Sequence, residues 1–159
     1  MAEHFLPAGA AADKGFDVYL PPERAGWDQS GLRVLTLAPG QGAELGTGDE
    51  EWLVIPLAGA FDVAADGREY ALRGRRDVFE GPTDTLYLPP GTGFEISSRA
   101  GGRVAFTSAR ARGEHPVQFL AAQDAPIARR GAGTMSRKAH EYLMRTGALR
   151  SEKLMALEV

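Results

Sequence analysis

Residues 74–98, GRRDVFEGPTDTLYLPPGTGFEISS, limit what this chain can fold into more than any other stretch. Thr85, Leu86, Tyr87 and Leu88 form a β-type run that stops at Pro89-Pro90-Gly91, and Phe94, Glu95 and Ile96 open a second run after a tight connection. Proline fixes φ and glycine permits positive φ, so Pro-Pro-Gly-Thr-Gly is a reversal and not a strand interior. A strand, a proline-glycine reversal and a second strand are how a small antiparallel barrel turns a corner.

The remaining chain repeats that pattern. Residues 16–20 alternate and are stopped by Pro21-Pro22; residues 32–37 form a strand ended by Ala38-Pro39-Gly40. Residues 41–50 are polar and glycine-rich and read as a loop. Trp52, Leu53, Val54 and Ile55 are a continuous apolar run, as in a strand buried on both faces. Phe61 and Val63 continue with a period of two, Asp66-Gly67 is the favoured pair for a type I′ hairpin, and Tyr70 and Leu72 answer on the return strand. Further strands fall around Val104 and Phe106 and over residues 117–120. Short strands at this spacing, with turn residues between them, indicate an all-β sandwich or barrel. Residues 1–15 read as a flexible N-terminus, frayed up to Lys14, and residues 16–123 as the barrel. Residues 124–138 have little periodicity and read as a linker, with Gly131-Ala132-Gly133 a flexible connection. Residues 137–144 fit either a helix capped by Ser136, with Ala139, Tyr142 and Leu143 on one face, or a strand with His140, Tyr142 and Met144 on one side. The β character of the rest favours the strand. Residues 154–159 read as an apolar strand in need of a partner, so 124–159 is expected to be a linker and crossover strand toward a second barrel that this chain lacks.

Composition narrows the function. A chain of 159 residues suits one domain. A net charge of −3 and a pI of about 5.6 argue against a nucleic-acid footprint. There are no cysteines, which excludes disulfides and thiolate metal sites and fits a cytoplasmic setting. No apolar run reaches the ~20 residues of a membrane span, and the N-terminus carries no cationic start followed by an apolar core, so neither a membrane nor a secretory leader is expected.

The Pro89-x-Gly91 spacing resembles the second motif of the cupin barrel, an antiparallel jelly roll in which a metal-binding His follows; that position here is Phe94. Counted back from Gly59, the Glu of the first cupin motif falls at Trp52, beside Glu51, and the two His positions fall among Leu45, Gly46, Thr47 and Gly48. A divalent ion needs three or four converging N, O or S donors, so no metal is expected in this barrel. The histidines His4, His115 and His140 form no metal-ligand pair, and His140, flanked by Arg137 and Tyr142, is the best candidate to contact a ligand or move a proton. Asp49, Glu50 and Glu51 read as a solvated acidic loop, and Arg73, Arg75 and Arg76 as a charged hairpin rim whose arginine forks would also suit a sugar-acid carboxylate. The candidate substrate contacts are therefore Arg75, Arg137 and His140.

Four segments carry a more specific likeness: residues 51–59 (EWLVIPLAG), 74–79 (GRRDVF), 84–91 (DTLYLPPG) and 131–140 (GAGTMSRKAH), the last followed by KLMALEV at 153–159. Together they resemble the N-terminal half of the 5-deoxy-glucuronate isomerase family of inositol catabolism, related to 4-deoxy-5-ketouronate isomerase. The resemblance implies one half of a bicupin, an aldose–ketose isomerase in which a proton moves between neighbouring carbons. It also implies a divalent metal in the second, absent cupin and no cofactor in this chain. The expected partners are that second cupin, a small sugar acid and further copies of the chain. The competing expectations are a non-catalytic module that binds a small sugar acid and a purely structural or dimerisation domain.

Overall fold

A computed structural model describes residues 5–113, 115–144 and 147–159. Nine strands form an antiparallel barrel of two sheets. β1 (Val18–Leu20), β2 (Ser30–Leu37), β8 (Gly102–Arg110), β4 (Glu50–Ala65), β6 (Thr85–Leu88) and β9 (Gln118–Leu120) follow one another across the first sheet. β3 (Gln41–Gly46), β7 (Gly93–Ser98), the far half of β4 and β5 (Arg68–Arg75) make the second. A one-turn helix, α1 (Pro22–Ala25), follows β1. β10 (Ile127–Arg130), β11 (Arg137–Leu143) and β12 (Ala156–Glu158) form a separate antiparallel sheet.

β4 passes from one sheet to the other. Its first half pairs with β8 and β6, its second with β5 and β7, and its register shifts between Pro56 and Ala58 and again between Gly59 and Phe61. The inward parity changes with it: Trp52 and Val54 point into the barrel before the bend, Phe61, Val63 and Ala65 after it. The bend is tight enough to demand glycine. Gly59 has φ +91° and Gly74 φ +66°, and a Cβ on Gly74 would stand 1.7 Å from the Gly59 carbonyl oxygen. The β4–β5 hairpin closes through Asp66 (φ 52°) and Gly67 (φ 70°), with Val63 facing Tyr70 and Phe61 facing Leu72, as the Asp-Gly pair predicts.

Two apolar clusters lie on opposite faces of the first sheet. Inside the barrel, Phe16, Trp52, Val54, Phe61, Phe94, Ile96 and Phe106 form the larger. Outside, Leu53, Tyr87 and Ala109 pack against Tyr142, Leu143, Leu149 and Leu154 of the C-terminal segment. Burying each such side chain contributes roughly 1.5–3 kcal/mol, so the covering segment is a second core. The apolar run at 52–55 is therefore covered on both sides, as its lack of alternation implies.

Several local expectations change. Residues 41–46 are a strand and not a loop: Ala43 and Leu45 pack on the inner core while Glu44 and Gly46 face out, with Leu45 opposite Phe94. Within the expected linker, β10 pairs with β11. Residues 137–143 form the strand preferred from sequence, and 156–158 find their partner inside the chain, on β11. Part of the stretch expected to fray is held in place: Ala11 is buried, its carbonyl accepts the Tyr19 N–H, and turns close from Ala10 to Pro7 and from Ala12 to Gly9. His4 lies outside the described residues.

The glycine corner generates a prediction. Gly74→Ala combines a left-handed backbone, costing about 1–3 kcal/mol by itself, with a collision against backbone, and should lose more stability than Gly67→Ala. Gly67 has a similar φ but open space around it. Urea unfolding of the two variants, compared at equal m-value, measures the difference.

Candidate functional site

The positions that the cupin motif assigns to metal ligands hold Trp52, Phe94 and, over residues 45–48, a leucine, a threonine and two glycines. The Phe94 ring lies 5.9 Å from Trp52 and 6.1 Å from Phe106, centroid to centroid, and Leu45 faces Phe94 across the sheet. Thr47 donates its hydroxyl to the Pro89 carbonyl at 2.8 Å. These residues do not fit a divalent ion, and among the described residues no three His, Cys, Asp or Glu side chains are placed to hold one.

The charged group the interior does contain is a pair. Arg33 shares the inward parity of Leu35 and Leu37, and its guanidinium holds Glu50 through two bonds of 2.7 and 3.2 Å. Ser108 binds the same carboxylate and accepts from Arg33 at 3.0 Å. The guanidinium also lies 4.4 Å over the Trp52 ring. Gly31 leaves the room: a Cβ there would stand 2.5 Å from Ser108 Oγ. Neither Arg33 nor Glu50 was singled out from sequence as a buried group, although the parity of Arg33 with Leu35 and Leu37 was a readable signal.

Outside the barrel, Glu51 corrects the expectation of a solvated acidic loop, as does Glu50; Asp49 alone of the three stays exposed. Glu51 is 0% exposed. Its Oε1 accepts the backbone N–H of Lys153 and Leu154, both at 2.6 Å, and its Oε2 accepts Glu152 N–H at 2.9 Å and the Tyr87 hydroxyl at 2.7 Å. One carboxylate on β4 thus fastens three consecutive amides of the C-terminal segment. Burial, then the bond to Glu51 and its charge, push the Tyr87 phenol above the ordinary range.

A third constellation joins two of the sequence candidates. Arg75, expected on a soluble rim, is buried and donates to the Pro56 and Gly81 carbonyls and to both oxygens of Glu158. Tyr142 donates to Glu158 at 2.8 Å and accepts the Thr83 N–H at 3.3 Å. Burial first, and then the Glu158 bond, raise the Tyr142 pKa. His140, on β11, stands opposite Glu158 in the register with β12. Its Nδ1 is buried without a partner, and its pKa is lowered by burial and by Lys138, against the opposing pull of Glu158. Arg75 and Tyr142 therefore hold the Glu158 carboxylate, which acts on His140 only through its charge and occupies the Arg75 fork from within the chain. Arg137 sits apart on the exposed β10–β11 hairpin.

Two predictions follow from these bonds. Glu51→Gln turns one acceptor toward N–H donors and should cost about 3 kcal/mol, against ~1 kcal/mol for Tyr87→Phe. Denaturant unfolding gives both values, and hydrogen exchange should accelerate at the amides of 152–154 in the first variant only. For His140, a folded pKa below the unfolded one means that the unfolded chain binds more protons as pH falls through and below about 6.5. His140→Gln should therefore lose less Tm than the natural chain between pH 7.5 and 5.5; equal losses would contradict a neutral His140 in the fold.

The chain matches the KduI/IolB family profile over residues 4–159. It is 27% identical over 161 residues to the 5-deoxy-glucuronate isomerase of Geobacillus kaustophilus and 26% identical to that of Geobacillus thermodenitrificans; in each case the alignment covers 100% of this chain and 58% of the relative. The chain thus spans little more than half the length of these curated relatives. An IolB-like protein from Salmonella typhimurium superposes with a TM-score of 0.75 at 28% identity, covering 82% of this chain and 50% of that one. Protein YlbA from E. coli, at 16% identity and TM-score 0.59 over 84% of this chain and 53% of that one, shares the fold alone. With an antiparallel cupin barrel and this match along nearly its whole length, the chain belongs to the KduI/IolB family.

Proposed function

We propose that this chain is the N-terminal, metal-free cupin of a bicupin sugar-acid isomerase resembling 5-deoxy-glucuronate isomerase. It scaffolds the second cupin, walls one side of the substrate site, and is inactive in aldose–ketose interconversion by itself. One observation carries the reading: in a chain matching an isomerase family end to end, the barrel centre is filled by Trp52, Phe94 and Phe106 and closed by the Arg33–Glu50 pair. Such an interior leaves no donor set for the ion that an aldose–ketose interconversion would draw on. The divalent metal and the catalytic groups then belong to the second cupin, the substrate to the small sugar acids, and the assembly to a homo-oligomer in the cytoplasm of an inositol-degrading cell. Relatives named 5-deoxy-glucuronate isomerase that are nearly twice as long as the aligned region support the two-part organisation. Among the described residues, no helix is long and apolar enough to cross a membrane.

The purified chain should bind well under one manganese or zinc ion per molecule by elemental analysis, and show no turnover of 5-deoxy-glucuronate with either metal added. Stoichiometric metal together with turnover would overturn the proposal.

A further inference from the structure

The β10–β11 hairpin places cations directly opposite one another twice. In its register Arg129 faces Lys138 and Arg130 faces Arg137. Like charges at directly opposed positions destabilise a strand pair, and this chain carries a net charge of −3, so the clustering is local. Arg130 has a carboxylate partner, Glu141, at 2.6 Å. Among the described residues no carboxylate pairs with Arg129, Arg137 or Lys138. Elsewhere in the molecule the buried charges are matched: Arg33 by Glu50 and Arg75 by Glu158.

The turn that joins the two strands is fixed in shape. Gly131 takes φ +79°, and a Cβ there would stand 2.2 Å from the Met135 carbonyl oxygen. Residues Gly133–Met135 form a 3-10 turn, with Met135 N–H donating to Ala132 and Ser136 N–H to Gly133. The flexible connection expected at 131–133 is thus a closed ring. Arg129, Arg130, Gly131, Ser136, Arg137 and Lys138 line a half-open surface hollow of about 400 Å³.

We propose that one face of the β10–β11 hairpin is an oxyanion-binding site, with Arg129 and Lys138, opposed in the register, and Ser136 receiving the carboxylate or phosphate group of a small molecule. An arginine fork and an ammonium supply charge-assisted donors, and a bound anion would relieve the opposed Arg129–Lys138 pair, for which no carboxylate partner stands among the described residues. The inference rests on the hairpin alone and stands whether or not the chain is half of an isomerase.

The test is a titration of the natural chain with inorganic phosphate, and separately with glucuronate, at constant ionic strength set by chloride, followed by amide NMR shifts. Saturable shifts confined to residues 129–138 are expected, and whichever anion saturates at lower concentration assigns the site to phosphate or to carboxylate groups. The variant Arg129→Gln/Lys138→Gln should keep its shifts elsewhere, showing an intact fold, and bind at least about tenfold more weakly, since two charge-assisted donors are lost. Shifts that match those in added chloride, shifts that map elsewhere, or equal affinity in the variant would overturn the proposal.

Discussion

Strand β4 is covered on both faces, and the remaining architecture follows from that double burial. Toward the inside it sends Trp52 and Val54 and, after its bend, Phe61 and Val63. Toward the outside it sends Glu51 and Leu53, which would face water in a free-standing barrel. A fully buried carboxylate is tolerable only when its lone pairs are filled. Three backbone amides and a tyrosine hydroxyl fill them. The C-terminal segment is therefore part of the fold of β4, and releasing it would strand both Glu51 and the apolar patch around Tyr87.

The barrel interior follows the same logic with a different outcome. An ion-binding barrel concentrates donors at its centre; this one concentrates rings, and the Arg33–Glu50 pair that closes it is internally neutral. Taking Arg33 and Glu50 out of water is costly, and such pairs do not always add stability, but losing one partner would leave a buried charge uncompensated. Stacking of Arg33 over Trp52 and the Ser108 hydroxyl complete the arrangement. It is an interior adapted to packing, which is why the functional reading places chemistry outside it.

Charge in this molecule divides into two kinds. Groups within the folded core are bound by partners from the same chain, Arg75 by Glu158 as much as Glu50 by Arg33. Groups on the β10–β11 hairpin project into solvent with more positive than negative charge. Both kinds look identical in a sequence, since an arginine before a hairpin and an arginine after a glycine give no hint of what will face them. Burial distinguishes them: the Arg75 side chain is 2% exposed, whereas Arg129 and Arg137 are open to water.

What the amino-acid order settled unaided was local. Asp66-Gly67 made a hairpin and Pro89-Pro90-Gly91 a reversal because those residues restrict or free φ at single positions. Alternation at Phe61, Val63, Tyr70 and Leu72 identified an inward face, the unbroken run at 52–55 announced cover on both sides, and Phe94 took the corner position with a ring that has no lone pair to offer. Tertiary structure decided the rest, because the deciding partners are remote. Glu51 is a surface acid until residues 101, 102 and 103 positions later arrive to donate to it. Residues 41–46 look like a loop because two glycines, a glutamine and a glutamate hide an Ala43–Leu45 alternation that gains meaning only beside β7. The strand at 127–130 has almost no pattern of its own and exists through its pairing with β11. Hydrogen-bond geometry and burial over such distances are properties of the packed chain, and no window of sequence contains them.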